Sequence, residues 1–216
     1  MYCPAHFAES RPEVLHALMR EYPQATLVTM GDDGLNADHI PLQLETAADG
    51  ALTLRGHVAR ANPVWKSASI GTPALAIFRG PDAYITPSWY PTKREHGKAV
   101  PTWNYAVVHA RGPLRFIEDA DWLRAQVEAL TRQQEGAFAE PWAVSDAPGD
   151  YLARMLAAIV GVEMSVTALE GKWKVSQNQP EENRCGAARG LQALGAEDAQ
   201  RMAIMIPRDE TTSSDD

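Results

Sequence analysis

The chain has little with which to staple itself or to hold a metal. It carries two cysteines, Cys3 and Cys185, far apart in sequence. No CxxC pair exists, and the six histidines show no HxxxH spacing, so no metal site is expected. Two reduced thiols suit a cytoplasmic protein, which is the expected location. No run of 18 apolar residues occurs, so no membrane helix is expected. Met1-Tyr-Cys-Pro-Ala-His-Phe7 shows neither the basic nor the apolar region of a secretion signal. Positive charge is in deficit: 20 Lys and Arg stand against 28 Asp and Glu, for a formal charge of −8. DNA binding depends on neutralising phosphates, so this balance argues against DNA and leaves only a local basic patch. A Gly-x-Gly-x-x-Gly turn, a P-loop and a Gly-x-Ser-x-Gly elbow are all missing.

What is present reads as one globular domain. The 216 residues are 45 % apolar, an ordinary fraction for a packed core. A single domain over residues 1–208 with a helical C-terminal extension is expected, and the acidic tail 209–216 is expected to be disordered. Ser10 and Glu13 have capping-box spacing ahead of Val14, Leu15, Leu18 and Met19, which predicts a helix over 11–21. Aliphatic and β-branched runs predict strands over 25–30, through 40–44, and over 51–58. A further pair, 74–78 and 83–86, would turn around Gly80-Pro81-Asp82. Asn62-Pro63 should open a short helix. A proline-bounded loop over 87–101 precedes a long strand over 102–117, bent at Gly112-Pro113. Helical spacing follows at 118–132 and 151–160, strand character at 162–175, and helices at 181–194 and 196–205. The expected class is mainly β with peripheral helices (α+β), a closed barrel decorated by helices.

Two blocks carry candidate chemistry. In an extended strand Arg55 and His57 face one way, and Arg60 follows just before Asn62-Pro63. Two guanidiniums near a helix start make a candidate phosphate site, with solubilising surface charge as the plain alternative. The second block places Trp103 and Tyr105 on one strand face and Asn104 on the other. Core filling explains aromatics, but a buried amide needs partners. Lys172, Lys174 and Ser176 alternate similarly at a later strand end, where a lysine-protected edge is the plain alternative. Together these blocks suit a phosphorylated planar ligand.

Four stretches stand in fixed order: Leu54-Arg-Gly-His-Val-Ala-Arg-Ala-Asn-Pro63, Ile85-Thr-Pro-Ser-Trp-Tyr90, Val100-Pro-Thr-Trp-Asn-Tyr-Ala-Val-Val-His109 and Gly171-Lys-Trp-Lys-Val-Ser-Gln-Asn178. On these residues the chain resembles the PaiB-like proteins, described as FMN-binding negative transcriptional regulators. The resemblance covers roughly residues 1–205. It implies an FMN-binding split β-barrel of the flavin-reductase-like superfamily, working as a homodimer with FMN at its interface. It further implies that Arg55, His57, Val58 and Arg60 hold the flavin phosphate. Trp103, Asn104, Lys174, Gln177 and Asn178 are the candidates on the ring side, where a partner subunit commonly completes the site. The functional expectation is a regulator that senses a ligand or redox state through its flavin. The alternative is an FMN-dependent oxidoreductase acting on a small molecule. A less favoured third reading is haem binding or breakdown, with His39, His57, His96 or His109 as axial ligand. Direct DNA contact follows from the family label alone and finds no support in the charge.

Overall fold

The computed structural model describes residues 1–31, 33–67, 71 and 73–208. The predicted disordered tail, 209–216, lies outside the described residues. In chain order the strands are β1 (Ala8–Glu9), β2 (Gln24–Gly31), β3 (Gly34–Pro41), β4 (Gln43–Thr46), β5 (Leu52–Ala59), β6 (Pro73–Ile85), β7 (Thr102–Ile117), β8 (Ile159–Val166) and β9 (Ala168–Lys174). The helices are α1 (Pro12–Glu21), α2 (Val64–Ser67), α3 (Thr92–His96), α4 (Ala120–Glu135), α5 (Gly149–Ala157), α6 (Glu181–Leu194) and α7 (Glu197–Met205). The chain divides into two compact units. One comprises Met1–Leu18, Arg79–Val108 and the chain from Glu170 onward; the other comprises Met19–Phe78 and His109–Leu169. Strands β6 and β7 run through both.

In the Met19–Phe78/His109–Leu169 unit, β2 buries Ala25, Leu27 and Thr29 on alternate positions, as a strand with one buried face must. It pairs with β3 from Gln24↔Pro41 to Gly31↔Gly34, and Gly34 takes φ +101° in the turn. The strand expected through 40–44 is two strands that change partner: β3 pairs with β2, β4 with β5. Pro41, the last residue of β3, has no N–H with which to continue the ladder. Strand β8 is buried without alternation, Val160 to Met164, because β5 and β7 flank it and both its faces are covered. Helix α4 starts at Asp119, whose Oδ1 accepts the Trp122 N–H at 2.8 Å.

The turn expected at Gly80-Pro81-Asp82 is instead continuous strand. The buried positions are Ala74, Ala76 and Phe78, then Pro81, Ala83 and Ile85, so the inward face slips by one residue around Gly80. Such a slip is how a strand absorbs an extra residue without reversing. The strand character expected over 162–175 is likewise broken, at Thr167, whose N–H and hydroxyl both donate to Arg111 O. The proline-bounded loop contains a short 3-10 turn, Pro87–Trp89, and α3. Helices α6 and α7 close a core of Ile85, Tyr90, Val175, Leu191, Met202 and Ile206. Just ahead of α1 the Glu9 carboxylate accepts both the Arg11 N–H and the Arg11 guanidinium.

Candidate functional site

Strand β5 positions Arg55, His57 and Val58 in the Met19–Phe78/His109–Leu169 unit, with Arg60 just past its end. Arg55 Nε donates to Glu163 Oε2 at 2.8 Å, and its guanidinium also pairs with Glu45 at 2.6 Å. Arg115 reaches Glu163 from the opposite strand, Nε to Oε1 at 2.7 Å. Burial pushes the Glu163 carboxyl up, and the hydrogen bonds and charges of Arg115 and Arg55 outweigh it, leaving the pKa below the usual carboxylate value. His57 Nδ1 donates to Gln126 Oε1 at 2.8 Å. Gln126 is only 4 % exposed, and its Nε2 has no partner among the described residues. Val58 is buried opposite Val160, so only its main chain can meet a ligand.

Arg60 is built into the end of α5. Its Nε donates to Ala157 O at 2.7 Å and a terminal nitrogen to Ile159 O at 3.1 Å, while the other pairs with Glu118. Its carbonyl accepts from Trp65 Nε1 at 2.9 Å, and its guanidinium lies 5.7 Å from the Trp65 ring centre. Asn62 Oδ1 accepts the Val64 N–H at 2.9 Å, the cap expected for α2. Arg60 also borders a 550 Å³ groove floored by Leu123, Leu152 and Leu156 and edged by Glu118 and Arg124.

The second block lies in the other unit. Asn104, Lys174 and Asn178 share the wall of a 170 Å³ cavity with Tyr90, Thr102 and Ser176. Asn104 Nδ2 donates to Ser176 Oγ at 2.9 Å, and both residues are buried. Burial raises the Tyr90 hydroxyl pKa, opposed by a hydrogen bond with Ser176. Lys174 Nζ donates to Thr102 Oγ1 and to Trp103 O, and burial, then the charge of Lys172, lowers its pKa. Trp103 is 54 % exposed and stands edge-on to Tyr84 at 5.9 Å. Gln177 is turned onto its own main chain: its Oε1 accepts from Val175 N at 2.8 Å and its Nε2 donates to Trp173 O.

The structure therefore gathers Arg55, His57 and Val58 on β5 with Arg60 just past its end, and Asn104, Lys174 and Asn178 around one cavity. Sequence reading did not single out Glu163, Gln126 or Thr102. Glu163 had a signal, since it is a lone carboxylate in the apolar run Val160-Gly-Val-Glu-Met164. Gln126 sits on the stripe of Leu123 and Val127, where an amide calls for a partner. Among the described residues no group of three His, Cys, Asp or Glu could hold a metal ion, and no helix is long and apolar enough to cross a membrane.

Comparison with known proteins follows the same lines. A family model described as "Putative FMN-binding domain" matches residues 1–168. An uncharacterised protein of Emericella nidulans is 33 % identical over 241 residues, covering 95 % of this chain and 96 % of its own. The protease synthase and sporulation protein PAI 2 of Bacillus subtilis is 30 % identical over 206 residues, with 95 % and 96 % covered. Among solved structures, the flavocytochrome Anf3 from Azotobacter vinelandii matches with TM-score 0.54 at 13 % identity, over 77 % of this chain and 69 % of that one. The FAD and haem binding protein from Mycobacterium smegmatis matches with TM-score 0.54 at 19 % identity, over 77 % and 73 %. At these identities the two structures share the fold.

Proposed function

Because this chain belongs to the PaiB-like FMN-binding family and has its α+β split-barrel fold, we propose that it binds FMN and uses it to sense a ligand or redox state. The observation that carries the reading is the amide of Gln126. Its buried Nε2 lacks an acceptor beside His57. A buried donor left unmade costs roughly 1–3 kcal/mol, so the position suits a ligand oxygen. A flavin phosphate or ribityl chain supplies such oxygens.

His57 and the main chain of Val58 would hold the phosphate end, joined by Arg60 on exchanging its exposed partner Glu118 for the phosphate. Arg55 is engaged by Glu45 and Glu163 and contributes chiefly by fixing β5. Trp103 offers a flat, exposed face for the ring, contributed by the second copy of a homodimer. Exposed Tyr84, Val100 and Trp103 in one unit support such self-association. When bound, FMN supplies one- and two-electron redox chemistry. The net charge of −8 weighs against an operator as direct partner, so regulation would run through the ligand or another protein. The Bacillus subtilis relative is named for protease synthesis and sporulation, which supports a regulatory role here.

A second reading, an FMN-dependent oxidoreductase, is favoured by the polar cavity around Lys174. The visible spectrum of the purified protein, then of the apo form given FMN, tests both. The two bands of oxidised flavin are expected, and bleaching by NAD(P)H would favour the enzyme. A Soret band without flavin bands would overturn the proposal in favour of haem.

A further inference from the structure

The 170 Å³ cavity around Lys174 is too small for a flavin. Pockets for cofactors and drug-sized ligands run to roughly 300–1,000 Å³. At ~30 Å³ per water, this one has room for a handful of water-sized groups. Its wall is chemically one-sided. Lys174 supplies an ammonium, Tyr90, Thr102 and Ser176 supply hydroxyls, Asn104, Asn178 and Gln179 supply amides, and among the described residues no carboxylate lines it.

These groups are held in place. Asn104 and Ser176 are buried and bonded to one another. Lys174 is fixed by Thr102 Oγ1 and Trp103 O, which occupy two of its three N–H donors and leave a third. Ser176 has φ +66°, a backbone conformation that strains a residue with a side chain.

We propose that this cavity binds a small monocarboxylate, with Lys174 as its counter-ion, Asn178 as a neutral donor and Val100 against the apolar end. One ammonium balances one negative charge. A phosphate dianion would leave an uncompensated charge in a partly buried site, which is costly. The site needs no flavin, so it extends the proposed function without depending on it.

The test is proton NMR saturation transfer on the full-length protein, with and without FMN, titrating sodium butyrate and sodium acetate against sodium chloride and sodium phosphate. Saturable butyrate binding is expected, in both forms, and neither chloride nor phosphate should compete at equal concentration. Lys174→Gln should weaken it about tenfold or more. Asn178→Asp keeps the lysine but adds a like charge to the ligand, and should abolish binding. Lys93→Gln, on the surface at α3, should change nothing. Melting curves establish that each variant is folded. The proposal is overturned by no butyrate binding, by equal competition from chloride or phosphate, or by unchanged affinity in folded Lys174→Gln or Asn178→Asp. Loss of FMN binding with butyrate binding kept would count against the flavin reading alone.

Discussion

Glu163 Oε2 accepts from Arg55 Nε at 2.8 Å, while its other oxygen takes Arg115. The strand order sets this contact. β8 runs between β5 and β7, and the antiparallel registers place Arg55 and Arg115 opposite Glu163. A carboxylate can then sit inside an otherwise apolar strand, because both oxygens are paired.

This arrangement makes stability depend on pH. Folding lowers the Glu163 pKa below its unfolded value. A group shifted down stabilises the fold above its unfolded pKa, and that contribution is lost as pH falls through the folded one. Glu163→Gln should therefore cost about 1–3 kcal/mol near neutral pH. The difference from wild type should shrink as pH drops through and below the ordinary carboxylate range. Urea melts of both proteins at several pH values check this, and a gap that stays constant would mean that the side chain acts through packing.

Arg60 and Arg55 should separate when mutated. Arg60→Ala is expected to weaken FMN binding about tenfold or more, the usual loss for one charge-assisted contact. It should also loosen α5, whose Ala157 carbonyl it holds. Arg55→Ala strips a partner from the buried Glu163 and should act chiefly on stability. Flavin fluorescence titrations beside thermal melts distinguish the two, and equal effects on affinity would restore Arg55 to the phosphate site.

Asn104 and Ser176 form a buried pair in the cavity wall, with the Tyr90 hydroxyl also bonded to Ser176. Asn104→Ala should destabilise by about 1–3 kcal/mol, because Ser176 loses a buried partner. Asn104→Asp should be worse at neutral pH, since it buries a charge beside a hydroxyl. Equilibrium unfolding of the two variants gives the order.

Much of the fold was legible because local pattern and burial agreed. The long strand to Ile117 survived Gly112-Pro113, and α6 and α7 followed their helical spacing. The errors came where partner choice outvoted local residues. Gly80-Pro81-Asp82 has turn chemistry, yet Arg79 and Asp82 pair along a continuous strand. The break after Pro41 reflects β4 choosing β5, which no local signal announces. At the site, β5 put Arg55 and His57 where alternation placed them. Their partners Glu163 and Gln126 lie 108 and 69 residues away, beyond the reach of spacing arguments.

Gly186 and Gly190 invite the opposite expectation from the structural one. Both lie in the interior of α6, where replacing glycine by alanine ordinarily stabilises by up to about 1 kcal/mol. Four residues apart, they share one helix face. That face closes on Trp89: a Cβ at Gly186 would stand 2.1 Å from Trp89 O, and one at Gly190 2.2 Å from the indole. Both alanine variants should destabilise, by about 1–3 kcal/mol. The two clashes differ in kind, and a double-mutant cycle separates them. In a Trp89→Leu background Gly190→Ala should be largely tolerated, because the ring it meets is gone. Gly186→Ala should stay destabilising there, because it meets main chain. If both penalties vanish in that background, the main-chain approach at Gly186 is not what requires glycine.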